Sequence, residues 1–384
     1  MSILSFLSSE TKADKYYHAN KFCFENIELS NIDYDEDRKA NTINAHELAE
    51  TSPNKNAVDL TEKCKKIQDH QPLFRYFLDG SRRTYKIGDF AYNNKIYPVV
   101  AGQIGIACCE RKSPYEFGKK ICEMHNVISL PTVSNASGQK SELFFSNLLG
   151  KVNSSSRLKS LNIGFNKILV YLKENKEDKY ENLAIAKIQD EMISLEKNVV
   201  ANLTAQKALS PTSYLIKDGS LEYKMLKTSD EKELSKIKNN YRYVVGISKK
   251  FNPDLAESKG GKSNASFLAD LELFHRTPAV KHSNYSDNRI KFAIWYIRIR
   301  DKKYSSSPFD GIIKVEKILV TDNEVANGLE TEEVDFISAN LVHERNPVCY
   351  GSDNRWANHL YPVYLTERYI KSQYLSDNYF LNLF

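Results

Sequence analysis

Two identical tripeptides each follow an apolar run. Asp79-Gly80-Ser81 follows Leu73-Phe-Arg-Tyr-Phe-Leu, and Asp218-Gly219-Ser220 follows Tyr214-Leu-Ile-Lys. Both runs have the length and composition of a buried strand. An Asp just past a strand end points its carboxylate out of the sheet edge, and the Gly permits a tight turn beneath a ligand. On neighbouring strands the two carboxylates would converge on a hard divalent cation. Asp-Gly is also common in turns that bind no ligand, so a single copy is weak support for a cation site. Two copies that each follow an apolar strand support it more strongly.

Further charged groups lie close to these tripeptides along the chain. Apolar residues three and four apart predict one helix from Asn182 to Leu203, with Glu196 at one edge of its buried stripe and Glu191 at the other. Either glutamate could face a site at the sheet edge, or lie at a solvated boundary. Lys249 ends a third apolar run, where it could neutralise a phosphate or simply mark the end of a strand.

The elements that must position these groups follow from the hydrophobic pattern. Short gaps between the first three predicted strands favour an antiparallel meander. The stretch 131–156, rich in Ser and Asn, predicts a loop or insertion that is interrupted by the apolar run Leu143–Leu149. A helix beginning near Tyr364 is predicted in the tail. The predicted strands are Leu73–Asp79, Tyr85–Ala91, Tyr97–Cys109, Tyr214–Asp218, Tyr243–Lys249, Arg289–Arg300 and Gly311–Val320.

Composition narrows the class of protein. The 384 residues carry a net charge of +5, with 41% hydrophobic and 27% charged residues, as expected for a soluble globular protein. The chain has no apolar run of the roughly 18 residues that a membrane-spanning helix needs. Its six cysteines include no Cys-x-x-Cys pair, which predicts reduced thiols in a cytoplasmic protein.

Eight short motifs in order resemble the NurA family of DNA-end-processing nucleases, from about residue 73 to the C-terminus. No single motif is specific, so the resemblance depends on their order. Residues 1–70 and 128–160 have no recognisable match. The motifs are Asp79-Gly-Ser-Arg-Arg83, the helix with its glutamates, Leu215-Ile-Lys-Asp218-Gly-Ser-Leu221, Val244-Val-Gly-Ile-Ser-Lys249, Arg276-Thr-Pro278, Trp295-Tyr-Ile-Arg298, Asp310-Gly-Ile-Ile-Lys-Val-Glu316 and Leu360-Tyr-Pro362.

The resemblance implies an α/β fold, with an RNase H-like core whose mixed sheet is flanked by helices. A mostly helical N-terminal extension over residues 1–70 would precede a nuclease domain over 71–384, which has an insertion near 128–160. The implied activity is cleavage of DNA that depends on Mn²⁺ or Mg²⁺, with two ions bound. The implied partners are a second copy of the chain and a hexameric DNA-translocating ATPase of the HerA type, in DNA repair or anti-phage defence.

By this resemblance Asp79 and Asp218 fall on the two metal-binding aspartates of the family. The helical glutamate of the family falls on Glu196 or Glu191, and its strand-end lysine falls on Lys249. In the two-ion mechanism these carboxylates would hold the metals, and the lysine would offset charge on the scissile phosphate.

The C-terminal ligand departs from the family pattern, because Tyr369 stands at the usual His position and Glu367 or His359 would have to substitute. Arg82 and Arg83 directly follow the first tripeptide and could hold neighbouring phosphates, or be ordinary surface arginines. The incomplete ligand set supports an alternative function, in which the chain is a catalytically weak or inactive DNA-binding or adaptor subunit of such an ATPase complex.

Overall fold

The computed structural model describes residues 2–17, 21–24, 47–52, 56–113, 115–136, 138–172, 179–221, 231–253, 257–258, 262–263, 265–284, 287–304, 307–345, 347 and 356–384. Within these ranges the chain forms strands β1 Lys15–Tyr17, β2 Phe22–Cys23, β3 Val58–Asp59, β4 Phe74–Tyr92, β5 Lys95–Ser113, β6 Glu116–Pro131, β7 Lys167–Tyr171, β8 Tyr214–Asp218, β9 Val244–Ser248, β10 Glu257–Ser258, β11 Lys262–Ser263, β12 His275–Arg276, β13 Val280–Asn284, β14 Asp287–Arg298 and β15 Ile312–Leu319.

The helices in the described ranges are α1 Ile3–Glu10, α2 Thr61–Ile67, α3 Ser141–Asn153, α4 Ser156–Leu161, α5 Tyr180–Ala205, α6 Glu231–Asn240, α7 Ala265–Asp270, α8 Asp322–Asn327, α9 Thr331–His343, α10 Tyr361–Ser372 and α11 Asp377–Leu381. Short 3-10 helices cover Thr132–Ser134, Lys302–Tyr304 and Trp356–Asn358. In the described part of the chain, no helix is long and apolar enough to cross a membrane.

One mixed sheet of 13 strands dominates the fold, and its main path is β3-β12-β14-β15-β9-β8-β4-β5-β6-β7. Strands β4, β5 and β6 form an antiparallel meander. Strand β8 then pairs parallel with β4, and β9 pairs parallel with β8. The order β6-β5-β4-β8-β9, with three antiparallel strands followed by two parallel ones, is the arrangement of an RNase H-like core. The predicted fold class, a mixed sheet flanked by helices, is therefore confirmed.

Helices cover both faces of this sheet. On one face α5 packs over β4 to β7, and Leu78 and Leu215 belong to the same apolar cluster as the buried residues of α5. On the other face Phe77 and Ile216 share a cluster with residues of α9 and α10. Because side chains alternate along a strand, neighbouring residues of β4 and β8 point to opposite helix layers.

The first tripeptide does not end a strand. Strand β4 continues through Asp79-Gly80-Ser81 to Tyr92, and Gly80 pairs with Ile106 of β5 in regular antiparallel register. The predicted strands Leu73–Asp79 and Tyr85–Ala91 are therefore one strand of 19 residues. Gly80 is not among the glycines with positive φ, whereas Gly219 has φ +85° and directly follows the last residue of β8. The prediction that the tripeptide ends a strand is therefore correct for the second tripeptide and wrong for the first.

The stretch 131–156 is not a loop throughout, since α3 covers Ser141–Asn153. The buried residues Phe145, Leu148 and Val152 recur at three- and four-residue spacing and pack in a cluster with α1 and β7. The helix contains the apolar run Leu143–Leu149 that interrupts the predicted loop.

The described parts of residues 1–70 join the main body. Strands β1 and β2 pair with β4, and β3 pairs with β12. A fully buried ion pair between Glu50 and Arg276 (2.8 Å between Oε2 and Nη2) ties this segment to the sheet, and Arg276 also donates to Asp335. In its described residues the segment contributes these three short strands and the helices α1 and α2.

Candidate metal centre

Three carboxylates meet at the end of β8. Asp79, Asp218 and Glu367 each offer one oxygen, and these oxygens all lie within 4.8 Å of one another. The parallel pairing of β4 with β8 places Leu78 opposite Lys217, so the next residue on each strand is an aspartate facing the same helix layer. Helix α10 covers that face and supplies the third carboxylate. An acidic triad is therefore present, and Glu367, rather than His359, completes it.

A buried lysine sits against this triad. The Nζ atom of Lys249 lies 2.8 Å from Asp218 Oδ2 and 3.6 Å from Glu367 Oε2. Asn358 donates from Nδ2 to the Lys249 carbonyl oxygen at 2.7 Å, which fixes the end of β9. Three ionised carboxylates and the ammonium group of Lys249 give a net charge of −2. A second ammonium group, that of Lys371, lies 2.6 Å from Glu367 Oε1 and reduces this charge to −1.

The acid–base properties of the cluster reflect this crowding. Burial raises the pKa of Asp79 well above its ordinary value, and the nearby charge of Asp218 raises it further. Burial lowers the pKa of Lys249, but the adjacent carboxylates outweigh burial and leave this pKa raised. The lysine is therefore protonated at neutral pH. Three hard oxygen donors in a net negative pocket fit a divalent cation such as Mn²⁺ or Mg²⁺.

Glu196 lies beside the triad but on the α5 side of β4. It is 2% exposed, and its Oε2 atom lies 3.2 Å from the Nζ atom of Lys217. A Cβ atom at Gly80 would overlap Glu196 Oε1, so the carboxylate rests directly on the backbone of Gly80. Gly80 and Asp79 are successive strand residues and face opposite helix layers. The group of mutually close oxygens accordingly does not include Glu196.

Two other predicted ligands lie away from the triad. Glu191 pairs with Lys167 of β7 at 2.7 Å. Five residues along a helix correspond to a rotation of about 140°, so Glu191 and Glu196 cannot face the same site. His359 is buried before α10, with its ring centroid 5.6 Å from that of Tyr364, and it is not part of the acidic group.

The two predicted phosphate ligands point to different faces of β4. Arg82 donates from Nε to Gln189 Oε1 at 2.6 Å on the α5 face. Arg83 pairs with Asp377 at 2.9 Å, and its guanidinium carbon lies 5.3 Å from the centroid of the Tyr374 ring. Only Arg83 shares a face of the strand with the triad.

Sequence reasoning missed Lys217 and Asn358. Lys217 interrupts an otherwise apolar run, and a charged residue in a buried strand requires a partner. That signal was available in the sequence. No local sequence signal marks Asn358, because its role depends on the packing of the 3-10 helix Trp356–Asn358 against the end of β9.

No family model matches the chain, and no curated protein matches it in sequence. Among solved structures, the chain is similar to the crystal structure of the NurA nuclease from Sulfolobus solfataricus, with a TM-score of 0.40 and 12% sequence identity. The likeness covers 83% of this chain and 81% of that chain.

Proposed function

We propose that this protein is a metal-dependent deoxyribonuclease that hydrolyses phosphodiester bonds. The observation that supports this function is the triad of Asp79, Asp218 and Glu367, with Lys249 against it, at the end of β8 in an RNase H-like sheet. A buried carboxyl group with a raised pKa, such as that of Asp79, is a costly arrangement for a fold, and such groups cluster at functional sites.

Each residue of the cluster has a distinct part in this proposal. The three carboxylates hold the cation through oxygen atoms supplied by two strands and one helix. A bound divalent cation stabilises charge that develops on a phosphate and makes an attacking water more acidic. Lys249 is the positive group that the protein itself contributes, and it would hold a non-bridging oxygen of the scissile phosphate. Burial of the cluster strengthens each of these interactions.

The substrate is proposed to be DNA. Arg83 lies four residues after Asp79 on the same face of β4 and would hold a phosphate next to the scissile one. Arg82 lies on the opposite face of β4. It would reach a phosphate only if the bound DNA strand passes around the edge of the protein's β-sheet. Both arginines stay proposed DNA ligands.

The wider role follows from the resemblance of the sequence motifs. We infer Mn²⁺ or Mg²⁺ as the cofactor, a homodimer as the working form, and a HerA-type hexameric ATPase as partner. The process would be the trimming of DNA ends in repair or in anti-phage defence, in the cytoplasm.

A second candidate function is a weak or inactive adaptor subunit of the same ATPase complex. The observation in its favour is that Glu196 is engaged by Lys217, while Tyr369 stands at the His position of the family. In that case the chain would bind DNA or the ATPase without cutting.

Cleavage of end-labelled linear DNA separates the two functions. Wild type is compared with Asp218→Asn under Mn²⁺, Mg²⁺ and chelator, with and without the ATPase. Asp322→Asn, an exposed acid on α8, is the matched control. The nuclease proposal expects cleavage that needs the cation and is lost only in Asp218→Asn. DNA binding without cleavage under every cation, with the ATPase present, would instead establish the adaptor.

A further inference from the structure

The two tryptophans of the chain lie in different surroundings. Trp295 is fully buried on β14 and donates from Nε1 to Ser338 Oγ at 2.9 Å, so it belongs to the core. Trp356 begins the 3-10 helix that ends at Asn358, and it is only half-buried. The two residues that follow it are buried. Trp356 is therefore a large aromatic ring that reaches the surface from an anchored segment.

A short series of contacts joins this segment to the candidate metal centre. Asn358 donates to the carbonyl oxygen of Lys249 at 2.7 Å, and the Nζ atom of that lysine lies 2.8 Å from Asp218 Oδ2. Asn358 also accepts a hydrogen bond from the backbone N–H of Gly311. The segment that carries Trp356 is thus held against the end of β9, where the proposed phosphate ligand Lys249 lies.

Positive charge lies close to the indole ring. The guanidinium carbon of Arg300 is 5.0 Å from the centroid of the Trp356 ring, which is a cation–π contact. Arg300 also packs on Gly311, since a Cβ atom there would overlap its own Cβ atom. Lys302 and Lys303 follow closely in the chain and are exposed. Proteins bind single-stranded nucleic acid with this combination, in which cations attract the phosphates and an aromatic ring stacks on a base.

We propose that Trp356 and Arg300 form a subsite for one unpaired nucleotide of the DNA. The indole ring stacks on the base, and the guanidinium group attracts the phosphate of the same nucleotide. Within a duplex both faces of a base are covered by neighbouring base pairs, so the bound base comes from a single strand or a frayed end. This inference rests on the proposed function, in which Lys249 holds the scissile phosphate of DNA next to this subsite.

The first test compares two labelled strands of equal length by fluorescence anisotropy, with Mn²⁺ and with chelator. One strand is an oligothymidylate and the other is an abasic deoxyribose-phosphate strand, so both have phosphates but only the first has bases. Every protein carries Asp218→Asn, so that the strands stay intact. Adding Trp356→Leu should weaken binding of the oligothymidylate at least about 5-fold, the lower end of what one stacked base contributes, and leave binding of the abasic strand unchanged.

The matched control is Tyr115→Leu, which should change neither affinity. Tyr115 is an aromatic residue that is 99% exposed, and it lies between β5 and β6, beyond the start of β4 and thus at the other end of the sheet from Lys249. If Trp356→Leu weakens binding of both strands equally, or of neither, the inference is overturned.

The fluorescence of Trp356 gives a second readout, which needs no substitution at this position. Oligothymidylate should quench the tryptophan emission through stacking, whereas the abasic strand should not. Trp356→Leu keeps only the buried Trp295 and should show no quenching. Trp356→Phe keeps an aromatic ring and should retain most of the affinity, so it replaces Trp356→Leu if that variant does not fold.

The outcomes separate this inference from the proposed function. Equal quenching by both strands, or quenching by neither when both bind, would reject the subsite and leave the nuclease proposal standing on its cleavage assay. If neither strand binds under any condition, DNA is not the substrate and the proposed function itself fails.

Discussion

The Nζ atom of Lys249 lies 2.8 Å from Asp218 Oδ2, although the two residues end different strands. The parallel pairing of β8 with β9 brings these strand ends together, and Glu367 approaches the same ammonium from α10. The lysine thus neutralises part of the charge that the triad collects. It competes with a cation for the carboxylates and, in the proposed reaction, assists the cation at the phosphate.

The substitution Lys249→Met should separate these two effects. Without the ammonium the triad is more negative, so Mn²⁺ should bind more tightly. Cleavage should nevertheless fall about 10²–10³-fold, because a positive group that stabilises the transition state is lost. The measurements are Mn²⁺ affinity by calorimetry and kcat on linear DNA. Lys250→Met, at the exposed neighbouring position, is the control. An unchanged kcat in Lys249→Met would remove the lysine from the mechanism.

The raised pKa of Asp79 predicts a pH-dependent stability. A carboxyl whose pKa is higher in the folded state destabilises the fold once the pH exceeds its unfolded pKa, and this cost disappears as the pH falls. Asp79→Asn should therefore raise the metal-free Tm at pH 7 by about 1–2 °C, which corresponds to about 1 kcal/mol in a chain of this length. The gain should shrink towards pH 4.

The same melting experiment tests the role of Asp79 in cation binding. Added Mn²⁺ should raise the Tm of wild type, because a ligand that binds only the folded state stabilises it. The shift should be much smaller in Asp79→Asn. A variant that melts below wild type at pH 7 without metal would contradict the electrostatic account of the cluster.

Glu367 and His359 were alternative ligands in the sequence, and the geometry distinguishes them. Glu367→Gln removes one of three triad charges and should reduce the Mn²⁺-induced rise in Tm at least several-fold. His359→Asn and Glu191→Gln should each retain most of that rise, since neither side chain belongs to the acidic group. The quantity compared is the difference between the Tm with Mn²⁺ and the Tm without it, measured for each variant. A general loss of stability caused by His359→Asn at its buried position therefore does not affect the comparison. A larger loss in His359→Asn than in Glu367→Gln would reverse the assignment.

The sequence predicted those elements whose signal is local. The stripe from Asn182 to Leu203 appears as α5, and the predicted strands Arg289–Arg300 and Gly311–Val320 appear as β14 and β15. The positions of Asp79 and Asp218 on their strands also predicted that the two side chains would lie close together. Each aspartate was predicted to end its strand, which is true of Asp218 in β8 but not of Asp79, since β4 continues to Tyr92. A strand that continues and a strand that turns have the same local sequence, Asp-Gly-Ser, and only the pairing partners distinguish them.

Contacts between segments that are far apart in the sequence could not be predicted from local sequence patterns. The choice of Glu367 depends on where α10 crosses the sheet, and the engagement of Glu196 by Lys217 depends on the alternation of side chains between two paired strands. Helical periodicity located Glu196 at the edge of the buried stripe. It could not show which charged residue of the sheet would lie opposite.

Gly80→Ala tests whether glycine is required at this position for space rather than for a turn. Its backbone is in regular strand pairing, but an added Cβ atom would overlap Glu196 Oε1 and also crowd Ile106 at 3.1 Å. Since β4 is central to the sheet, the glutamate must move away from Lys217, and we expect the free energy of unfolding to fall by about 1–3 kcal/mol. Gly118→Ala, in strand β6 with no atom within 4 Å of the new Cβ, is the matched control and should be nearly neutral or slightly stabilising. Urea unfolding measures both. Equal stability of the two variants would mean that Glu196 is not held against β4 in solution.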